Sequence, residues 1–225
     1  MEAFFASGRR TAETLVDQLD EQGLLPASRQ SLLRDGRALD FGCGVGRLTQ
    51  ALCGHFQAAI GVDISPTMVR LADEHNRFGD RCRYVVNAAA DLGVLKDGRF
   101  DLCYSLIVLQ HMPWEAARGY LADMARRLTP RGRLVFQLPA AHTPPPPRTP
   151  LHALARRVLP ETCRRLRRRW RDPLAARMQM HATPRPTVEA FLASLGLEVL
   201  YVRESDDAGP GYASWLYVAG RGERA

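Results

Sequence analysis

No stretch of this sequence is apolar for long enough to form a bilayer-crossing helix. The longest apolar run, Leu102 to Leu109, is broken by Ser105 and is short enough to be a buried strand leading into a turn. The opening residues, MEAFFASGRR, hold no extended apolar core and no small-residue cleavage site, so a secretory leader is not expected. Cysteine is sparse and scattered. Cys43, Cys53, Cys82, Cys103 and Cys163 form no Cys-x-x-Cys pair. That usage fits a reduced, cytoplasmic protein and speaks against a disulfide scaffold or a metal site. Internal repeats are missing too.

What is present suits one globular domain with a sizeable core: 46% of the 225 residues are hydrophobic and 24% charged. The net charge of +7 is local. Arg156 to Arg171 holds eight arginines against one acid, Glu161, and carries the whole imbalance. The rest of the chain is neutral, so a surface that coats nucleic acid is not indicated.

Ala12, Leu15, Val16 and Leu19 recur at helical spacing before Gly23 and Pro26. Strand-like runs follow at Arg37–Phe41, Ala58–Asp63, Cys82–Val86, Phe100–Ser105 and Arg133–Leu138, with helical patterns near 46–53, 66–77 and 114–128. This βαβ series predicts a doubly wound, mostly parallel α/β sheet. Pro144 to Pro147 reads as a stiff polyproline connector. Patterning resumes near Pro186, with a helix closed by Gly196 and strands at Leu197–Val202 and Ala213–Ala219.

The densest signal is ALDFGCGVGRLTQAL, residues 38–52, where Gly42, Gly44 and Gly46 sit between a strand and a helix. Such a turn admits a ligand close to the backbone and aims a helix N-terminus at it. A dinucleotide turn would need a glycine where Arg47 stands, and a phosphate loop would need Gly-Lys-Ser/Thr. Asp63, ending the second strand in GVDIS, is placed to accept from both hydroxyls of a ribose. The ligand implied has a ribose and no pyrophosphate.

The chain resembles the class I S-adenosylmethionine-dependent methyltransferases. The resemblance rests on LDFGCGVGRLT (39–49), GVDIS (61–65), NAAADL (87–92), FDLCYSLIVLQHMP (100–113) and RRLTPRGRLVF (126–136), in order, over about residues 35–140. It implies a seven-stranded Rossmann-like sheet whose last strand is antiparallel, and S-adenosyl-L-methionine as cofactor. Carried over residue by residue, Gly42 and Gly44 would line the methionine end and Asp40 would hold the ammonium through water. Asp63 would grip the ribose and Ile64 would pack on the adenine. Ala88, Ala89 and Asp91 would lie along the adenine edge, and Leu106 would offer its carbonyl to the ammonium. The polar residue often found beside the adenine amino group aligns with Ala88 here, unless Asn87 serves one place earlier.

For a hydroxyl acceptor, His111 in LQHMP is the candidate base, at the carboxyl end of the fourth strand. His181 could serve instead, or His111 could simply order its loop. The basic segment admits three readings: a cap with its arginines in solvent, a lid that recruits an anionic acceptor, or a docking surface for nucleic acid or anionic lipid. The expected organisation is one methyltransferase domain over 1–225. It comprises a helical region (1–34), a cofactor-binding core (35–140), a Pro/Arg-rich cap inserted after the fifth strand (141–185) and a C-terminal helix with two strands (186–225). The expected function is methylation of a small molecule, with O-methylation of a specialised metabolite or sugar favoured. The alternatives are N- or carboxyl-methylation of an anionic or nucleotide-linked acceptor, a non-catalytic cofactor-binding regulator, and a nicotinamide oxidoreductase, against which Arg47 argues.

Overall fold

The alternation of short apolar runs and helical periods becomes seven strands and six α-helices among the described residues, 1–96, 98–142 and 179–222 of a computed structural model. Arg156–Arg171, with the whole expected cap except its edges, lies outside them. The strands are β1 (Arg37–Phe41), β2 (Ala58–Asp63), β3 (Cys82–Val86), β4 (Phe100–Ser105), β5 (Leu128–His142), β6 (Glu198–Glu204) and β7 (Tyr212–Gly220). The helices are α1 (Glu2–Glu21), α2 (Arg29–Asp35), α3 (Arg47–Leu52), α4 (Pro66–Glu74), α5 (Trp114–Arg126) and α6 (Arg185–Ser194).

They form a single sheet in the order β3-β2-β1-β4-β5-β7-β6. Strands β1 to β5 pair in parallel, and β7 runs antiparallel to both its neighbours. The chain winds outward from β1 in one direction and from β4 in the other. The carboxyl ends of these two strands therefore splay around a crevice, which is where open sheets of this kind take ligands.

Strand pleating sends alternate side chains to opposite faces, and both faces are buried. Leu39, Phe41 and Cys103 face α5 and α6, which contribute Leu121, Met124, Val188 and Leu192. Ala38, Leu102 and Tyr104 face the other way, against Leu15 and Val16 of α1, Leu32 of α2 and Leu48 and Leu52 of α3. This two-sided burial explains why the strands read as nearly continuous apolar runs. Emptying either face at a fully buried leucine such as Leu121 or Leu52 costs about 2–5 kcal/mol on truncation to alanine.

Local chemistry sets the ends. Ser65 accepts from the Met68 amide and Pro66 opens α4, a pairing that suits a first turn lacking intrahelical donors' partners. Gly196, at φ 71°, closes α6. Two elements differ from expectation. Helix α2 was not foreseen in the sequence; it is only seven residues long, capped by Ser28, whose hydroxyl accepts from the Ser31 amide at 3.2 Å. Strand β5 begins at Leu128 and not at Arg133, because Pro130–Gly132 is accommodated as an irregularity in the pairing with β4, where Phe100 faces Leu128 and Leu102 faces Arg133.

Candidate functional site

The glycine turn follows β1 and folds over the end of β2. The Gly42 and Cys43 amides donate to the Val62 carbonyl at 2.8 and 3.1 Å, which lays the turn beside Asp63. Gly42 has φ 79°, and a side chain there would run into Val108, 2.2 Å from the position of a Cβ. Gly44 also lies in the left-handed region, at φ 53°, but faces nothing within 4 Å. The two glycines thus do different work. Gly42 lets the protein close on itself, and Gly44 leaves its backbone bare toward open space.

Asp63 is half-buried and already oriented. Its Oδ2 accepts from the Gly44 amide at 2.8 Å and its Oδ1 from the Ser65 amide at 2.9 Å. A carboxylate offers about four lone-pair directions, so capacity remains for two ribose hydroxyls. Next to it, Ile64 is 71% exposed. Asp40 lies beneath the turn, buried, with Thr49 donating to its Oδ2 at 2.7 Å. Burial raises its pKa to about 6 despite that hydrogen bond. A buried carboxylate in this state gains from a nearby cation.

The segment after β3 is held from α5 by two residues that no motif marks, and from within by Asn87 and Asp91. Tyr120 of α5 donates to the Ala89 carbonyl at 2.6 Å, and Asp123 accepts from the Leu92 amide at 2.7 Å. Asn87 Nδ2 donates to the Asp91 carbonyl at 2.7 Å, and the Asp91 carboxylate accepts from the Gly93 amide at 2.8 Å. The side chains of Asn87 and Asp91 therefore shape the loop, while Ala88 and Ala89 stay exposed.

On the other side of the crevice, Ser105 donates to the Phe41 carbonyl at 3.1 Å, tying the ends of β4 and β1 together. Leu106 follows, and then Ile107 at φ 62°. A β-branched residue in that region stores about 1–3 kcal/mol of strain and is typical of functional turns. One short helical turn later sits His111. Its Nδ1 contacts the Gln179 carbonyl at 3.1 Å and its Nε2 contacts Gln110 Nε2 at 3.3 Å. A carbonyl can only accept, so Nδ1 carries the hydrogen and Nε2 the lone pair. Gln137 donates to Gln110 Oε1 at 3.1 Å, which turns the Gln110 amide nitrogen toward His111 and agrees with that tautomer. The His181 amide donates to the Gln110 carbonyl at 2.8 Å. The backbone at His181 is thus tied to the same turn after β4 that carries His111.

Asp63, Gly44, Ile64, Ala88, Ala89 and Asp91 therefore gather on the β2–β3 side, and Asp40, Gly42 and Leu106 lie at the crevice between β1 and β4. A cavity of about 480 Å³ opens on the α1 side, with Leu106 and Ile107 in its lining and neither Asp63 nor His111.

Comparison with known proteins agrees with this construction. Residues 39–136 match a methyltransferase domain. The chain is 32% identical over 167 residues to trans-aconitate 2-methyltransferase of Methylobacterium nodulans, covering 73% of this chain and 56% of that protein. It is 34% identical over 101 residues to ubiquinone biosynthesis O-methyltransferase of Methylococcus capsulatus, covering 44% and 42%. The chain thus spans about half the length of these curated relatives. Magnesium protoporphyrin IX methyltransferase from Synechocystis with bound SAH superposes with a TM-score of 0.62 at 20% identity, over 95% of this chain and 83% of that one. A methyltransferase from Clostridium acetobutylicum gives 0.63 at 14% identity, over 94% and 90%. These structures share the fold. With its glycine turn, its acid after β2 and a sheet of this order, the chain carries a methyltransferase domain over residues 39–136 and has the fold of class I S-adenosylmethionine-dependent methyltransferases.

Proposed function

We propose that this protein transfers a methyl group from S-adenosylmethionine to a small-molecule acceptor, in one domain spanning 1–225 whose cofactor core is residues 35–140. The observation that carries this reading is Asp63, held by the Gly44 and Ser65 amides at 2.8 and 2.9 Å beside a glycine that faces open space. Asp63 accepts from the ribose hydroxyls, Ile64 covers one adenine face, and the Ala88–Asp91 backbone runs along the adenine edge. Gly42 and Gly44 admit the methionine end. Asp40, through water, and the Leu106 carbonyl hold its ammonium.

The cofactor supplies a sulfonium methyl that is already strongly electrophilic, so the chain's task is alignment and exclusion of water. For a hydroxyl acceptor His111 takes the proton on Nε2, the nitrogen that carries the lone pair, and must exchange Gln110 for the acceptor to do so. O-methylation is the favoured chemistry. Support comes from the two curated relatives, one named as an O-methyltransferase and one as a methyltransferase of trans-aconitate. The Pro/Arg-rich stretch at 141–185 is proposed as a cap over the acceptor.

The test is direct. Calorimetry should show S-adenosylmethionine binding, and incubation with methyl-labelled cofactor and a metabolite extract should yield a labelled product with release of the demethylated cofactor. Binding without any such release in any extract would mark a cofactor-sensing regulator instead. Absence of binding by a folded protein would end the proposal.

A further inference from the structure

Helix α1 carries two stripes. The apolar one, Ala12, Leu15, Val16 and Leu19, packs into the sheet. Beside it Ser7, Arg10, Thr11, Thr14 and Gln18 repeat at three- to four-residue spacing, and these polar residues line the 480 Å³ cavity. Gly8 allows α1 to come down on the start of α3: a Cβ there would lie 2.4 Å from the Arg47 carbonyl and 2.6 Å from Arg47 Cγ. The Arg47 side chain is thereby led under α1, where its guanidinium donates to Ser7 Oγ at 3.4 Å and lies 5.6 Å from the Phe4 ring centre. The residue that occupies the third glycine position of a dinucleotide turn is a wall of this cavity.

The floor is Tyr104, Leu106, Ile107 and Leu216, and the far wall is Arg203 with Asp207. Three arginines thus face one aspartate, whose Oδ2 is already engaged by the Ser205 hydroxyl. Arg203 donates from Nη1 to the Glu204 carbonyl at 3.1 Å, but its Nε is buried with no partner. The Arg10 side chain makes no hydrogen bond or ion pair among the described residues. A volume of this size suits a small molecule. The lining has an excess of positive charge and buried donor capacity that the protein leaves unmet.

We propose that this cavity is the acceptor site and that it selects a small molecule bearing a carboxylate or phosphate, gripped by Arg203 and Arg10 at the end away from the methyl group. The word acceptor rests on the methyl-transfer reading; the oxyanion site itself does not. Strand β6, which carries Arg203, is three strands from β4, or about 14 Å at ~4.8 Å per strand. An oxyanion at Arg203 therefore directs the rest of a small molecule toward Leu106 and the cofactor crevice. The gripped oxyanion is the handle and not the methylated atom, because guanidinium donors occupy the lone pairs that would attack. Planar guanidinium forks suit both oxyanions.

The test is a calorimetric titration of the full chain with citrate, glycerol 3-phosphate and glycerol, each with and without the demethylated cofactor. At least one anion should bind and glycerol should not. Stronger citrate binding would identify a carboxylate handle, and stronger glycerol 3-phosphate binding a phosphate handle. Arg203→Gln should weaken the preferred anion about 10- to 150-fold, with Arg203→Lys restoring only part. Arg10→Gln, on an exposed helix face, should weaken it without any risk to folding. Cofactor affinity should be unchanged in all three variants. Failure of both anions to bind the parent protein, or equal binding by Arg203→Gln and Arg10→Gln, would overturn the oxyanion site. Loss of cofactor binding in the parent would overturn the methyl-transfer reading and leave the anion result to stand alone.

Discussion

On the β2–β3 side of the crevice nearly every polar group is spoken for, whereas on the α1 side Ser7, Thr11 and Asp207 are bonded but the arginines keep donor capacity. Both oxygens of Asp63 accept from amides, Thr49 holds Asp40, Asp91 accepts from Gly93, and Tyr120 and Asp123 pin the loop from below. Across the crevice, Arg203 Nε is unmet and Arg47 holds Ser7 only at 3.4 Å. A ligand that never changes is best met by preorganised backbone and short side chains, which lose little entropy on binding. A surface that must choose an acceptor does better with long, partly free side chains whose donors wait for it. The two sides should therefore respond differently to mutation.

The largest separation is expected at His111, the proposed base, which sits at the turn after β4 and outside the lining of the arginine-lined cavity. His111→Gln keeps a donor for the Gln179 carbonyl but removes the base. Turnover on a hydroxyl acceptor should fall by about 10²–10⁴-fold, with cofactor affinity unchanged. Single-turnover kinetics beside cofactor calorimetry reads both. Preserved turnover would reduce His111 to its bond with Gln179.

Asp63→Ala should produce the opposite pattern. Losing charge-assisted hydrogen bonds of roughly 1.5–3 kcal/mol should weaken the cofactor about 10- to 150-fold while anion binding in the arginine-lined cavity stays as it was. Unchanged cofactor affinity in a folded Asp63→Ala protein would dissolve the division between the two sides.

Acidity gives a smaller contrast. Asp40 has a folded pKa of about 6, above the ordinary value of 3.8. Protonation therefore favours the folded, cofactor-free protein: this group's contribution is fully present below about pH 4 and lost as pH rises through 6, an effect of roughly 3 kcal/mol. A bound cation favours the ionised carboxylate, so cofactor affinity runs the other way and should drop up to about tenfold by pH 5. Asp40→Asn should flatten that dependence. Calorimetry at pH 5 and 7.5 checks it, and a parent protein with no change over this range would show that Asp40 does not feel the cofactor.

The smallest effect is expected at Tyr120, which holds the Ala89 carbonyl in the loop proposed to lie along the adenine edge. Tyr120→Phe removes one neutral hydrogen bond, worth about 0.5–1.5 kcal/mol. Cofactor affinity should fall by about 2- to 10-fold, and the anion site should not respond. Amide hydrogen exchange in residues 88–92 should rise in step. Weaker affinity with unaltered exchange would point away from loop positioning.

The same contrast governs how much could be read without a structure. The bounds of β1, β2 and β4 follow from largely apolar runs, because a strand buried on both faces is mostly apolar. The glycine turn and Asp63 are legible for a related reason: each sits within a few residues of a strand end, so local spacing places its chemistry. Helix α2 was too short to show a period, and β5 runs through a Pro–Gly segment that looks like a turn and becomes an irregularity only when β4 pairs beside it. Tyr120 and Asp123 acquire meaning only once α5 packs under the loop after β3. The arginine-lined cavity is the extreme case. Residues 7–18, 47, 104–107 and 203–216 share no spacing along the chain. They meet because the sheet places β6 and β7 beyond β5 while α1 folds back over the β4 end. The chain alone determined the strand–turn–acid chemistry of the side proposed for the cofactor, where neighbours in sequence are neighbours in space; tertiary packing decided the arginine-lined cavity proposed for the acceptor, where they are not.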